Sequence, residues 1–192
     1  MEYIQDKVFF HVQVAKPRTR PWILGETIFI GDNKNPFWGY YDSFEYPQLT
    51  STAPPIEMAN YYKSCLGDYI MFARETIFEE VRLKHFPQLP SRKRCLWLIT
   101  PSNNQENIFG KWIAELAKNK EPLQILKLKC SGKIHYANSS YLDTFVGGFN
   151  KFREMAFKYW SGFNSEPTSP ETECLFEGFV TVEEIVKSTM SS

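Results

Sequence analysis

The sequence predicts an α+β fold in which a mixed or antiparallel β-sheet carries packed helices. Strand-like segments follow one another at the N-terminus and at the C-terminus, which is not the strict alternation of strand and helix typical of parallel sheets. The glycine-rich phosphate loops of doubly wound folds are also absent from the sequence. The chain has 192 residues, 43% of them hydrophobic and 16% aromatic, so we expect one domain, residues 1–192, with a sizeable core.

The N-terminal part predicts two strands and a long connection. Alternating apolar residues predict the first strand over residues 8–14, with His11 on its less apolar face. A short second strand is predicted at residues 27–30, between two glycines. Residues 35–55 are rich in proline and aromatic side chains, and we expect an ordered loop or lid there, because loops of this length are often functional.

The middle of the chain predicts helices separated by strands. Apolar residues at three- and four-residue steps indicate helix over residues 56–86, divided in two at Gly67. A buried type of strand is predicted at residues 95–99 and another at 123–130. Between them, residues 108–116 carry the apolar stripe of a helix.

The C-terminal part predicts a helix that ends at Gly162 and then a hairpin that turns at Gly178. Glu171 and Glu173 lie at the start of this hairpin. Residues two apart on a strand point the same way, so the two carboxylates would share a face. Such a pair on a rigid strand suits charge-based chemistry. Two solvent-facing glutamates at a strand entrance are the simpler alternative, and the spacing alone favours it.

Composition excludes several classes of function. Twenty-two basic and 22 acidic residues give no net charge, so no overall field attracts nucleic acid. The sequence shows no apolar signal segment and no run long enough to span a membrane. The four cysteines are widely separated, which predicts a reduced, cytoplasmic protein without a disulfide framework or a zinc site. No metal site is expected, because histidines and acidic residues do not occur at ligand spacing.

Three residues outside the hairpin offer binding groups. His11 could exchange a hydrogen bond with a ligand, although a histidine at the edge of the core and satisfied by backbone is the favoured alternative. Ser91 and Arg92 precede a buried strand, where the planar guanidinium could bind phosphate or ribose. A solvated basic turn is an equal alternative for these two residues.

Basic and aromatic residues also occur together. Lys127, Lys129 and Lys133 alternate along one predicted strand and its turn. Basic loops at 18–20 and 92–94 lie near Trp22 and the aromatic cluster at 37–41 in the sequence. Cations beside exposed rings suit single-stranded nucleic acid. Solvated faces on a neutral protein are the alternative that composition favours.

In their order, these segments resemble an ADP-ribosyltransferase domain. A histidine strand, residues 9–12, comes first, and the glycine-led strand at 25–30 follows. A helix at 73–82 then leads into the segment at 90–98. The hairpin at 171–182 is similar to the strand that carries the family's catalytic glutamate. The likeness covers most of the chain, and the middle segments also resemble an uncharacterised bacterial family of this superfamily.

The resemblance implies a split β-sheet that binds NAD, the substrate, in a cleft. Glu173 would be the catalytic glutamate and Glu171 the carboxylate two residues earlier in the Glu-x-Glu form. His11 would contact the ribose on the nicotinamide side. The predicted second strand lacks the tyrosine of the family's second motif, and the candidates for it further along the chain are Tyr40, Tyr41, Tyr61 and Tyr62. The other candidate cofactor-binding residues are Ser91, Arg92, Thr27 and Tyr62.

The function implied is an NAD-dependent ADP-ribosyltransferase. The small size of the chain suggests a toxin of a toxin–antitoxin or phage-defence system. We therefore expect an antitoxin protein as a further partner and no membrane partner. The acceptor would be nucleic acid, with RNA favoured by the basic and aromatic loops, or a protein. A non-catalytic module that binds a nucleotide or partner on the same fold is the second hypothesis. A glycosidase-like hydrolase is the third and least favoured, because same-face carboxylates project in parallel rather than across a substrate.

Overall fold

The computed structural model describes residues 1–14, 20–43, 45, 54–102, 105–116, 122–143, 148–169 and 171–190. Strands and helices of these residues form one α+β arrangement, as the sequence predicts. A short 3-10 helix at Ser139–Leu142 precedes the last helix. In chain order the elements are β1 (Glu2–Val14), β2 (Thr27–Ile30), α1 (Pro36–Ser43), α2 (Pro55–His85), β3 (Leu96–Leu98), α3 (Gln105–Leu116), β4 (Leu123–Asn138), α4 (Phe149–Trp160) and β5 (Thr172–Ser188).

The five strands form one antiparallel sheet, so the antiparallel alternative is confirmed. The strand order is β1-β4-β5-β2, and β3 pairs with β5 on the same side as β2. A single bridge also joins Phe10 of β1 to Ile99, just after β3, through backbone hydrogen bonds of 2.9 and 2.7 Å. The sheet therefore closes on itself at this bridge. Beyond it, no further ladder pair joins β1 to β3 within the described residues.

A pair of glycines lets the two longest strands approach closely. Gly132 of β4 and Gly178 of β5 are partners in the register. A Cβ atom on Gly132 would lie 2.8 Å from the Gly178 Cα, and one on Gly178 would lie 2.5 Å from the Ser131 carbonyl oxygen. The predicted turn at Gly178 is therefore wrong, because this glycine lies inside one continuous strand. The turn predicted at Lys133 is also wrong, because Lys133 lies within β4, which continues to Asn138.

Apolar side chains pack on both faces of the sheet. On β5, Phe176 and Val180 point into the space that the closed sheet surrounds, whereas Leu175 points towards α2 and α4. This alternation follows from the two-residue period of a strand. The most buried members of the inner cluster are Leu126, Leu128, Cys130, Ile134, Phe176 and Val180, and those of the helix-side cluster are Phe78, Cys95, Ala137, Ala156, Tyr159, Trp160 and Leu175.

The longest helix, α2, runs without a break from Pro55 to His85, so its predicted division at Gly67 is wrong. A single glycine costs a helix only about 1 kcal/mol relative to alanine, which packing elsewhere readily offsets. The buried residues of α2 begin at Arg74, and several of them are charged. These buried charges in the second half of the helix face the candidate site.

The other predicted elements are confirmed, most of them with changed bounds. β2 has the predicted residues, whereas β1 and β4 are longer than predicted. Gly162 follows the end of α4 with a φ of 70°, the left-handed conformation expected of a glycine after a helix. The predicted loop at 35–55 contains α1, and its residues 44 and 46–53 lie outside the described part of the chain. No described helix has the length and apolar character that crossing a membrane requires.

Candidate functional site

A cavity of about 750 Å³ opens where β1 and β3 separate. Residues 11–14 of β1 and residues 94–97 contribute to its wall, and residues 28–31 of β2 and its turn contribute a third part. This volume is typical of sites for small molecules, which range from about 300 to 1,000 Å³. The aromatic lining residues are Trp22, Phe29, Tyr41, Trp97 and Trp112, and the charged ones include Lys34, Arg74, Glu75, Arg92, Arg94 and Glu173.

Three of the site residues predicted from the sequence come together in this lining. His11 reaches it from β1, Arg92 from the turn before β3, and Glu173 from the start of β5. These residues are far apart in the sequence, so only the folded sheet brings them to one cavity. The fold thus brings the predicted histidine and the predicted glutamate into the same cavity.

The other predicted residues do not belong to the described lining. Thr27 is exposed, and its hydroxyl lies 2.9 Å from that of Thr181. Tyr62 is 58% exposed on the first half of α2. Glu171 is exposed just before β5, so it does not share a strand face with Glu173 as predicted.

Ser91, the remaining predicted contact, is buried in a separate polar cluster. Its hydroxyl donates to Glu79 Oε1 at 2.9 Å, and its backbone N–H donates to Glu177 Oε1 at 2.7 Å. Glu79 also accepts from Arg82, with distances of 3.1 and 2.7 Å. Ser91 therefore fixes the turn that carries Arg92, and does so by joining α2 to β5.

Arg92 forms the centre of the polar end of the cavity. Its Nε and Nη2 donate to the two oxygens of Glu75 at 2.9 and 3.1 Å. Its Nη1 pairs with Glu173 Oε2 and lies 2.7 Å from the Tyr159 hydroxyl. The guanidinium carbon also lies 5.5 Å from the centroid of the Trp97 ring. The alternative of a solvated basic turn is therefore wrong for Arg92, which is buried and engaged on all sides.

Glu75 is shared between two arginines. Besides Arg92, it accepts from Arg74 Nη2 at 2.6 Å, and Arg74 Nη1 donates to the Leu142 carbonyl at 2.7 Å. Burial alone would raise the pKa of Glu75, but the two guanidinium groups lower it below its usual range. With Glu173, the cluster contains two cationic and two anionic side chains. This balance is what allows charges to persist in an interior.

Glu173 is held at one oxygen and free at the other. Its Oε2 accepts from Arg92 and from the Tyr159 hydroxyl, the latter at 2.5 Å. Burial raises the pKa of Tyr159 well above its ordinary value, so the phenol remains a donor. Within the described residues, Glu173 Oε1 makes no hydrogen bond. The site therefore presents one fixed carboxylate oxygen to a ligand in the cavity.

His11 is a neutral imidazole with a defined tautomer. Burial lowers its pKa to about 4, even though a backbone hydrogen bond opposes this shift. Its Nδ1 lies 2.9 Å from the Trp97 carbonyl oxygen, which can only accept, so the proton is on Nδ1. Nε2 is consequently an acceptor. His11 is thus satisfied by backbone, as the favoured alternative predicts, and it also lines the cavity.

Some of the residues in and beside this site that sequence reasoning missed carry a recognisable signal. Glu75, Glu79 and Arg82 are buried on α2 at the three- and four-residue steps of its apolar stripe. Charged residues at core spacing indicate a buried ion network, because isolated charges are not buried. Tyr159 carries no such signal, since its spacing on α4 is that of an ordinary core residue.

The basic segments are distributed over several parts of the surface. Arg20 pairs with Glu26, and Lys127 lies 3.8 Å from Glu184 on the outer face of the sheet. Arg94 is exposed, lines the cavity and makes no ion pair with the described residues. Residues 18–19, and the side chains of Phe37 and Tyr40, lie outside the described part.

Among the described residues, no group of three or more histidine, cysteine or acidic side chains could hold a metal ion.

A family model described as protein of unknown function (DUF2441) matches residues 9–188. The matched region begins in β1 and ends in β5, so it includes both His11 and Glu173. No curated protein matches the chain.

Proposed function

We propose that this chain, which belongs to the DUF2441 family of proteins of unknown function, is an NAD-dependent ADP-ribosyltransferase. The observation that carries the proposal is that Glu173 of β5 and His11 of β1 line one cavity, at the place where two strands of the sheet separate. A sheet split at this place, with a histidine and a glutamate in the cleft, is what the resemblance to ADP-ribosyltransferases implies.

The reaction needs a fixed negative charge near a sugar carbon. The bond between the nicotinamide nitrogen and ribose C1′ breaks, and its electron pair stays on the nicotinamide. The ribose acquires oxocarbenium character, and a nucleophilic oxygen or nitrogen of the acceptor then bonds to C1′ and releases its proton. Glu173 Oε1 is the group that would stabilise the cationic sugar, because donors to its other oxygen fix its position.

The rest of the cavity suits a dinucleotide. Trp22 and Trp97 provide flat apolar surfaces for planar rings, and His11 Nε2 provides an acceptor for a sugar hydroxyl. Arg92 is committed to Glu75 and Glu173, so it serves to position the carboxylate. Arg94 is the guanidinium available to a phosphate.

The proposed acceptor is nucleic acid, with RNA first. Arg94 and Lys34 belong to the exposed part of the cavity lining, where a phosphodiester backbone would pass. Glu171, exposed beside the start of β5, is on this proposal an acceptor-side residue. Glu171→Gln would then lower transfer to the acceptor more than it lowers nicotinamide release. A toxin of a toxin–antitoxin or phage-defence system is the role that fits this activity.

The test of the proposal uses NAD labelled in its adenosine part. The purified protein is incubated with separate pools of RNA, DNA and protein, and both nicotinamide release and labelled acceptor are measured. Glu173→Gln should lower the rate by about 10²–10³, the usual effect of losing one electrostatic group at a reacting centre. Glu183→Gln, an exposed glutamate on the same strand, is the matched control and should keep the wild-type rate. Full activity in Glu173→Gln would refute the assignment.

A non-catalytic nucleotide-binding module is the second candidate. The observation that favours it is the pairing of Glu173 with Arg92, which offsets part of the carboxylate's negative charge. This candidate predicts NAD binding without nicotinamide release. The same labelling experiment therefore separates the two functions.

A further inference from the structure

Gln13 carries a buried acceptor that no described residue satisfies. It lies two residues after His11 on β1, lines the cavity and is only 9% exposed. Its Nε2 donates to the Arg20 carbonyl oxygen at 3.0 Å. Because a carbonyl only accepts, this bond fixes which side-chain atom is the amide nitrogen. Gln13 Oε1 is then a defined acceptor, and it is buried without a hydrogen-bond partner. Most buried polar atoms have one, so an unpaired atom on a residue that lines a cavity points to a ligand.

The surroundings of Gln13 are aromatic and rigid. Trp22 lines the same cavity, and its ring stacks on the His11 ring with centroids 5.6 Å apart. Gln124 fixes the backbone of Trp22 on both sides, since it accepts from the Trp22 N–H at 2.9 Å and donates to its carbonyl at 3.2 Å. This part of the cavity thus offers flat apolar surfaces next to one acceptor. A planar base with an exocyclic amino group has the complementary chemistry.

We propose that Gln13 selects the adenine base of the dinucleotide by accepting a hydrogen bond from its exocyclic amine. The inference rests on the proposed function, which places nicotinamide and its ribose at Glu173. Contacts lead from Glu173 to Arg92, from Arg92 to Trp97, and from Trp97 to His11. Gln13 comes after His11 on the same strand, so the base beside it is the one remote from the reacting bond.

This geometry predicts discrimination between adenine and hypoxanthine. Hypoxanthine carries an oxygen where adenine carries the amine, so two acceptors would face each other. Gln13 cannot rotate its amide to compensate without losing its bond to Arg20. Leaving a buried polar group unpaired corresponds to a loss of affinity of about 10-fold to 100-fold. NAD should therefore bind more tightly than nicotinamide hypoxanthine dinucleotide by that factor.

The test measures the dissociation constants of both dinucleotides by calorimetry for the full chain. The comparison in the wild type needs no substitution, so it stands whether or not a variant folds. Gln13→Met keeps the side-chain volume, removes the acceptor and should bring the two affinities within about threefold. Gln5→Met, an exposed glutamine on the same strand, is the matched control and should keep the preference for adenine. The titrations are repeated with Glu173→Gln, in which the reaction should be slow. The measured heat then comes from binding of the dinucleotide and not from its turnover.

The outcomes separate this inference from the proposed function. A preference for NAD in the wild type and in Gln5→Met that is lost in Gln13→Met supports the role of Gln13. Equal affinities in the wild type, or a full preference retained in Gln13→Met, would overturn it. Equal affinities together with nicotinamide release would leave the proposed function standing. Binding of neither dinucleotide would overturn both.

Discussion

Replacing Glu75 with glutamine should destabilise the protein strongly, because this carboxylate lies between two arginines. Glu75 is 2% exposed, and its two oxygens accept from three N–H groups of Arg74 and Arg92. A glutamine offers one oxygen, so its amide nitrogen would face at least one guanidinium donor. The substitution also leaves Arg74 and Arg92 with Glu173 as the one remaining anion of this cluster.

The expected cost follows from the burial of the network. Removing one partner of a buried ion pair typically costs about 3–5 kcal/mol, because it leaves an uncompensated charge in the interior. That is a large share of the roughly 5–15 kcal/mol by which a domain is stable. The matched control is Glu80→Gln on the same helix. Glu80 lies 3.7 Å from Arg153 on the surface, where such a pair contributes about 0–1 kcal/mol.

Urea unfolding at neutral and acid pH measures the effect. The folded pKa of Glu75 lies below that of the unfolded chain, so this residue stabilises the fold fully above about pH 4.5. The contribution is lost as the pH falls through the folded pKa. The difference between wild type and Glu75→Gln should therefore be largest near pH 7 and shrink in acid.

Two results would refute this reasoning. One is a loss below about 1 kcal/mol at pH 7, no larger than that of the surface control. The other concerns a double variant in which Arg74→Met is added to Glu75→Gln. In that variant one cation, Arg92, and one anion, Glu173, remain in the cluster, so its charges balance again. Because Arg74 and Glu75 touch, the double variant should be more stable than the sum of the single effects, by about 1–3 kcal/mol. Strict additivity would show that the charges do not interact as described.

The glycine pair and the buried histidines give two further predictions. Gly132→Ala forces a Cβ to within 2.8 Å of the Gly178 Cα and should cost about 1–3 kcal/mol in thermal unfolding. Gly67→Ala, which meets nothing within 4 Å on α2, should instead stabilise by about 0.5–1 kcal/mol, and the reverse order would contradict the described packing. Burial lowers the pKa of both His11 and His135 to about 4, below about 6.5 in an unfolded chain, so stability should be complete above pH 6.5 and fall between pH 6.5 and 4. His135→Phe, which keeps the ring that stacks on Trp160, should remove about half of that loss in urea titrations, and an unchanged loss would exclude His135 as its source.

The fold class follows from the sequence because strands and helices have different apolar periods. The spacing of apolar residues along the sequence predicts β2, the strand at β3 and the helix at α4, and it does so without knowledge of tertiary contacts. They fail at Gly132 and Gly178, because a glycine that lets strands approach looks the same in sequence as one that turns the chain. The predicted hairpin is therefore a single strand in the structure.

The site is only partly accessible to sequence reasoning. His11 and Glu173 are singled out because their segments resemble those of ADP-ribosyltransferases, whereas the spacing alone favours a core-edge histidine and a solvent-facing glutamate. Glu75 and Tyr159 are missed because their role depends on which helix packs over β5, and periodicity does not say which helix that is. Ser91 and Arg92 are predicted as cofactor contacts, but in the structure their partners are carboxylates of the protein itself.

The position of β5 in the sheet has a consequence for how the protein is made. β5 is the last described strand, yet it pairs with β2, β3 and β4. A nascent chain on the ribosome therefore holds three earlier strands that lack their common neighbour. Pairings between distant segments form slowly, so the closed sheet assembles late. Glu173 arrives on that same strand. Each new molecule thus gains its candidate catalytic carboxylate only when β5 is made, so on the proposed function a chain that stops before β5 would be inactive.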